Sequence, residues 1–303
     1  MAKLKVGLIG LGEVAQLMHL PLLADDQRFE IAAVTDVSPS LVAHVAERYG
    51  VKTRHASAEA LIADPTLDAV FILTPDFLHA PLLEKSIRAG KHVFIEKPAA
   101  LTAAELKPLL ELEKTNTKTV FVGYMRRFAP AFTALKERLP PREEIRHVRI
   151  RDLIRESQFF VDQSRNIFRP TDVPSEAIAE GRAQTQALLK SVMGEARPDQ
   201  LRAYQVLTGL SSHSFSAMRE LFGAPNSVAA ARQHRGENVL VMFDYGTFTA
   251  LYEAVIHDVA RFDAGIEVLT LNQHFKINYD TPYVRNLPTR LEITTSDLHS
   301  TGT

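Results

Sequence analysis

With 303 residues the chain is long for one compact core, so two domains are the better expectation. A composition of 46% apolar and 23% charged residues is that of an ordinary globular protein, and a net charge of -1 lacks the basic excess that a nucleic-acid or anionic-membrane surface needs. There is no cysteine, which excludes disulfides, thiolate metal sites and a cysteine nucleophile and fits a reducing cytoplasm.

Lys3 and Lys5 precede a short apolar run. Glu13 interrupts that run too soon for a signal peptide, so a strand followed by a turn explains it better. No stretch approaches the roughly 18 apolar residues of a membrane span. The first 125 residues then alternate between two periodicities. Strands are expected at 4–9, 31–35, 51–54, 69–73, 92–95 and 120–123, and helices at 13–23, 41–49, 57–63 and 77–89. Gly50 and Gly90 are placed to stop helices, and Thr102 with Glu105 forms a capping pair that opens another. Short, continuously apolar strands joined by helices imply a doubly wound parallel sheet, the Rossmann architecture, over 1–125.

Residues 126–303 read differently. A strand at 145–154 is followed by helical stretches at 175–193 and 198–221, then by strands at 227–233, 239–243, 248–256, 267–271 and 274–279. Successive strands without intervening helices imply an α+β domain with an open, largely antiparallel sheet. Its outer face is expected to be apolar unless covered, which favours a homodimer or homotetramer.

Gly10, Leu11, Gly12, Glu13, Val14 and Ala15 have the form G-x-G-x-x-A. Gly10 suits a tight turn out of the strand, Gly12 lets the backbone approach a pyrophosphate, and Ala15 keeps the helix near the sheet. The alternative is a turn that serves packing only. Asp36 ends the second strand about 20 residues on, where a carboxylate can accept ribose hydroxyls. It repels a 2′-phosphate, and Val37 and Ser38 supply no cation, so NAD is favoured over NADP. Glu96 and Lys97 emerge at the carboxyl end of a strand, on the same rim; from position alone they also read as a surface ion pair.

Thr74-Pro75-Asp76-Phe77-Leu78-His79, Ala89-Gly90-Lys91-His92-Val93, Glu96-Lys97-Pro98 and Gly123-Tyr124-Met125-Arg126-Arg127-Phe128 together resemble the Gfo/Idh/MocA family, strongly over 4–128 and more weakly to about 280. The resemblance implies a Rossmann domain followed by an α/β domain, and hydride transfer between nicotinamide and a sugar, polyol or related substrate. It implies that Lys97 lies at the nicotinamide and handles the proton. A partly desolvated lysine beside an oxidised ring would have a lowered pKa and act as a base. Glu96 would position that lysine or the ribose. Thr74, Pro75 and His79 match the loop that lines the cofactor, with Asp76 where asparagine is usual. Read alone, His79 is equally a helix-surface histidine. Tyr124, Arg126 and Arg127 fall at the substrate, with interdomain packing the alternative for each arginine.

His213 matches the histidine of a family Asp-x-x-x-His, either as a helper in proton transfer or as a buried structural residue. Gly209 replaces the acid, which leaves room for a non-catalytic dinucleotide-binding sensor. A bilin- or diol-type reductase with the same cofactor domain is a third possibility. The arginines at 155, 165 and 169, near Phe159, Phe160 and Phe168, read as an anionic-substrate wall or as a solvated loop. No metal-ligand spacing such as H-E-x-x-H occurs, and Gly209-Leu210-Ser211-Ser212-His213 lacks the second glycine of a nucleophile elbow. The family usually continues for tens of residues beyond this C-terminus, so the end is either natural or short of a tail.

Overall fold

The computed structural model describes residues 2–164, 167–284 and 287–302. Two compact units result: Met1–Gly123 with Ser164–Glu195, and Tyr124–Gln163 with Ala196–Thr303. The helical stretch at 175–193, which periodicity alone leaves with the second half, therefore packs with the first unit. One contact that joins it there is the ring of Phe77, which lies where a Cβ on Gly181 would be, 2.8 Å from it.

The first unit is built from β1 (Leu4–Ile9), α1 (Leu20–Asp25), β2 (Phe29–Thr35), α2 (Pro39–Tyr49), β3 (Thr53–Arg54), α3 (Ala58–Ala63), β4 (Ala69–Ile72), α4 (His79–Arg88), β5 (His92–Ile95), α5 (Ala103–Glu113) and β6 (Val120–Val122). The strands form one parallel sheet in the order β3-β2-β1-β4-β5-β6. Val6, Leu8, Val70, Ile72, Val93 and Ile95 are buried between helical layers, as unalternated apolar strands require. The expected stops hold: Gly50 and Gly90 take φ of 68° and 69°. Thr102 and Glu105 form the reciprocal capping box at α5.

The helix expected at 13–23 is present with a difference. Residues 13 and 14 are helical, a π-helical turn occupies Ala15–His19, and α1 follows directly. The expected helix at 77–89 begins instead as a 3₁₀ turn, Asp76–Leu78, before α4.

The second unit contains α6 (Pro130–Arg138) and β7 (Ile145–Arg155), then α7 (Ser157–Ser164), which runs to the boundary. In the chain α8 (Ser175–Met193) intervenes, within the first unit. The second unit resumes with α9 (Pro198–Val206) and α10 (Ser212–Phe222), which are joined by a π-helical turn at Leu207–Ser211. Seven further strands follow: β8 (Ser227–His234), β9 (Asn238–Asp244), β10 (Thr249–His257), β11 (Phe262–Thr270), β12 (Gln273–Tyr279), β13 (Arg290–Thr295) and β14 (His299–Gly302). The eight-stranded sheet has the order β14-β13-β12-β11-β7-β10-β9-β8, antiparallel except where β7 pairs with β10. Its inner face carries Val148, Ile150, Tyr252, Ala254, Ile266, Val268, Phe275 and Ile277 against Phe132, Leu135, Ala217 and Met218 of α6 and α10.

The outer face is not the apolar surface expected. Across β10, β7 and β11 the outward positions hold charges, with Arg149 on Glu253 at 2.6 Å, and Arg151 on Asp263 at 2.7 Å and on Glu267 at 2.5 Å. Strand alternation places these residues opposite the core positions, and the paired register brings their charges together. The exposed large apolar side chains of this sheet's strands are Val228, Leu240 and Met242 of β8 and β9 and Leu269 of β11.

Gly10 has φ of +87°, and a Cβ there would lie 2.8 Å from the Leu73 carbonyl carbon and oxygen. Gly10→Ala is therefore expected to cost about 1–3 kcal/mol in urea unfolding, from backbone strain before any clash is counted. A Cβ on Gly12 meets nothing within 4 Å, so Gly12→Ala should stay within roughly 0.5 kcal/mol of the parent.

Candidate active site

The strand order reverses direction at β1, with β2 on one side and β4 on the other, and in such sheets ligands lie beyond the carboxyl ends of the strands at that point. Residues 10–15 leave β1 there. The Gly10 N–H bonds the Thr35 carbonyl at 3.0 Å. The Leu11 N–H donates to Asp36 Oδ2 at 2.8 Å, and the Ser38 N–H donates to Asp36 Oδ1 at 3.0 Å. Asp36 thus fixes the glycine turn to the end of β2 and keeps lone pairs on both oxygens. The open space over Gly12 and the first N–H groups of the helix at residue 13 fit an anionic group brought close to the backbone. Glu13 carries the charge that fits least well there, and Arg169 pairs with it at 3.0 Å.

The neighbouring strand ends supply the second half of the rim. Thr74 follows β4, and its buried Oγ1 has no protein partner. Pro75 leads into the 3₁₀ turn. His79 is not on a helix surface: it is 1% exposed, with Nδ1 2.6 Å from the Pro98 carbonyl and Nε2 2.8 Å from the Thr74 carbonyl. Both ring nitrogens are engaged within the protein, so His79 ties the loop after β4 to the turn that carries Lys97. Lys97 is half-buried, and its N–H faces Glu96 Oε2 at 3.3 Å.

Glu96 bonds His19 Nε2 at 2.8 Å. Burial pushes the Glu96 carboxyl up, but the His19 hydrogen bond, the charges of His19 and Lys97, and the Lys97 N–H outweigh it and leave the pKa below the usual 4.5. His19 sits edge-on to Phe94, 4.8 Å between centroids, above a row of Phe71, Phe94 and Phe121 set by strand register. Sequence reasoning misses His19. No spacing marks it, and the π-helical turn ends on it.

A segment from the other side of the chain's first unit also reaches this rim. Gln16 Nε2 donates to the Phe168 carbonyl at 3.0 Å, and the Phe168 N–H donates back to Gln16 Oε1 at 3.0 Å. The Phe168 ring stacks on His44 of α2 at 4.5 Å. Asp172 accepts from Ser38 and Ser40 at the start of α2. The sequence gives no sign of these pairings.

In the second unit, Tyr124 and His213 meet edge to face, 6.4 Å between ring centroids. Burial raises the Tyr124 pKa against the opposing charge of Arg127. Arg126 is 5% exposed, and its Nη1 bonds Asp152 Oδ1 at 2.6 Å and Ser214 Oγ at 2.7 Å, with the Tyr279 ring 5.2 Å beneath. Asp152 is fully buried and accepts from Ser214 and Tyr252 as well. The Arg126 guanidinium is thus engaged inside the second unit. Arg127 pairs with Glu220, which also holds Lys136. Arg155 lies over Phe159 at 3.9 Å within the second unit, Arg169 pairs with Glu13 within the first, and Arg165 lies outside the described residues. Among the described residues no cluster could hold a metal ion, and no helix is long and apolar enough to cross a membrane.

Residues 4–124 match the model of an oxidoreductase family with an NAD-binding Rossmann fold, Gfo/Idh/MocA. An inositol 2-dehydrogenase of Rhizobium meliloti (strain 1021) is 34% identical over 133 residues, 44% of this chain and 39% of that protein. An inositol 2-dehydrogenase of Acidothermus cellulolyticus is 37% identical over 136 residues, 45% of this chain and 40% of that protein. The matched stretch thus spans about two-fifths of the length of these relatives. A dehydrogenase structure from Clostridium difficile superposes with a TM-score of 0.72 at 19% identity, covering 100% of this chain and 83% of that one, a likeness of fold.

Two measurements check the buried groups. Asp152→Ala strands the Arg126 charge in the core and should cost roughly 3–5 kcal/mol in denaturant unfolding. Because the folded pKa of Glu96 is depressed, the stability it contributes is present above about pH 4.5 and is lost as pH falls through the folded value. Glu96→Gln should therefore flatten the loss of thermal midpoint on going below that pH. The glycine turn, its acid and the loops after β4 and β5 all lie within residues 4–124, the stretch that matches the NAD-binding Rossmann fold of the Gfo/Idh/MocA oxidoreductase family.

Proposed function

We propose that the chain is a nicotinamide-dependent dehydrogenase or reductase acting on CH–OH groups of a sugar, polyol or inositol-like substrate, with NAD preferred to NADP. The observation that carries the reading is one rim of one sheet. The glycine turn after β1, Asp36 after β2, Thr74 after β4 and Lys97 after β5 all stand at carboxyl ends of its strands. Residues 10–15 would hold the pyrophosphate, and Asp36 would accept the adenosine ribose hydroxyls with its remaining lone pairs. Thr74 and Pro75 would line the cofactor. The nicotinamide, when bound, accepts or gives the hydride.

Lys97 takes the proton from the substrate hydroxyl in oxidation and returns it in reduction. Glu96, held by His19, and His79, through the Pro98 carbonyl, are the positioning residues for that amine. Tyr124 and His213 are the second-unit residues assigned to the substrate, with His213 assisting the proton. Arg126 supports them structurally through Asp152 and Ser214. We place the protein in the cytoplasm as a homodimer or homotetramer. The exposed apolar side chains of β8 and β9 support self-association.

Lys97→Met should lower turnover by roughly 10²–10⁴-fold, followed as nicotinamide absorbance with a panel of inositols, aldoses and keto-sugars, while NAD affinity stays within about threefold. Full activity in that variant would overturn the assignment. The second reading, a sensor that binds dinucleotide without turnover, draws on Gly209 at the place of the family acid. It predicts NAD binding and no turnover on the same panel.

A further inference from the structure

We infer that Asp172 makes the chain selective for NAD by occupying the donors that a 2′-phosphate would need. The inference rests on the dinucleotide reading given above. NADP differs from NAD only by a phosphate on the ribose hydroxyl that an acid such as Asp36 accepts. Next to Asp36 along the chain is the start of α2, with the hydroxyls of Ser38 and Ser40 and the free N–H groups of a first helical turn. That is the usual equipment for receiving a phosphate.

In this chain those donors are already given to a carboxylate 134 residues away in sequence. Asp172 Oδ1 accepts from Ser38 Oγ at 2.5 Å and from Ser40 Oγ at 2.7 Å, and Oδ2 accepts from the Ser40 N–H at 2.8 Å. Ser38 also accepts the Leu41 N–H, so the hydroxyl that caps α2 is left to donate its O–H to Asp172. The same Ser38 donates its backbone N–H to Asp36 at 3.0 Å. One serine therefore joins the two acids. The hydrogen bonds from Ser38 and Ser40 hold the Asp172 pKa down to about 2, so the group is an anion at any working pH.

Asp172 is exposed, yet its segment is anchored. Phe168 is held by both ends of the Gln16 amide and by the His44 ring, and Arg169 by Glu13. A 2′-phosphate arriving here would meet two carboxylates and donors already in use. A 2′-hydroxyl would meet acceptors, which it can satisfy. Asp172 is thus a specificity residue that acts beside Asp36 and comes from a different part of the first unit.

The test titrates the full chain with NADH and with NADPH, by calorimetry, for the parent, Asp172→Ala and Asp172→Asn. The parent should bind NADH the more tightly. Both variants should lower the ratio of the NADPH to the NADH dissociation constant by about tenfold or more, with the NADH constant itself changed less than threefold. Asparagine still accepts from the Ser38 and Ser40 hydroxyls through its one oxygen, without the charge and without the Ser40 N–H bond, so a shift in that variant separates charge from anchoring by the hydroxyls. An unchanged ratio in both variants overturns the inference and leaves the dinucleotide reading intact. Equal weakening of both nucleotides in Asp172→Ala, restored in Asp172→Asn, also overturns it, since Asp172 would then only anchor its segment. Binding of neither nucleotide to the parent overturns the underlying reading and this inference with it.

Discussion

The turn after β1 lies against the end of β4 only because Gly10 has no side chain. A Cβ there would meet the Leu73 carbonyl at 2.8 Å and the Thr74 nitrogen at 2.9 Å, and the backbone takes a φ of +87° that other residues avoid. That contact has consequences for each neighbour. It brings Thr74, with its unpartnered hydroxyl, to the same rim as the glycine turn. It aims the Leu11 N–H at Asp36, which ties β1 to β2 beyond the last ladder bond. It also starts the helix at residue 13 close to the sheet, so that His19, two turns on, reaches Glu96 beside Lys97.

The rim is crowded with acids, which matters for the diphosphate that residues 10–15 are proposed to hold. Each acid is given a fixed partner. Asp36 takes two backbone N–H groups, Glu13 takes Arg169, Glu96 takes His19, and Asp172 takes two serines. Arg169 offsets the charge of Glu13, whereas Asp36 and Asp172, which take only neutral N–H and O–H donors, keep their negative charge toward an incoming phosphate. The arrangement is also graded along the sheet. Lys97 and His19 stand over β5 and β4, and the pair of acids joined by Ser38 stands over β2.

What the sequence showed was what depends on short stretches of backbone. Gly10 with Gly12, the capping pair Thr102 and Glu105, and the αL stops at Gly50 and Gly90 are local requirements with few residue solutions, and each stands where it was expected. The strand and helix order of the first unit follows from the same kind of pattern. Contacts that need a distant partner did not show. Nothing near Arg126 announces that Asp152 will bury itself beside it, so the sequence leaves that arginine between a substrate contact and interdomain packing. Phe168 and Asp172 carry no motif, and their meaning comes from Gln16, His44 and Ser38. β13 and β14 were missed because edge strands of mixed polarity, with Leu291 the one buried residue between them, alternate too weakly to read. For His79 it is the helix-surface alternative that does not hold: a polar residue at the start of a helix is ordinarily exposed, and here two carbonyl oxygens hold it inside.

The two π-helical turns, Ala15–His19 and Leu207–Ser211, deserve a common explanation, because a helix widened by one residue gives up ideal hydrogen bonding and is seldom kept without a use. In the first unit the use is visible. The wider turn lets Gln16 stay buried while its amide bonds the Leu11 carbonyl behind it and the Phe168 backbone beside it, and it ends on His19 at Glu96. In the second unit the buried Ser211 turns its hydroxyl back to the Val206 carbonyl, five residues earlier, and the helix resumes with Ser214 on Asp152. The first turn thus ends at the half-buried Glu96, and the second leads directly into the helix whose Ser214 holds the buried Asp152.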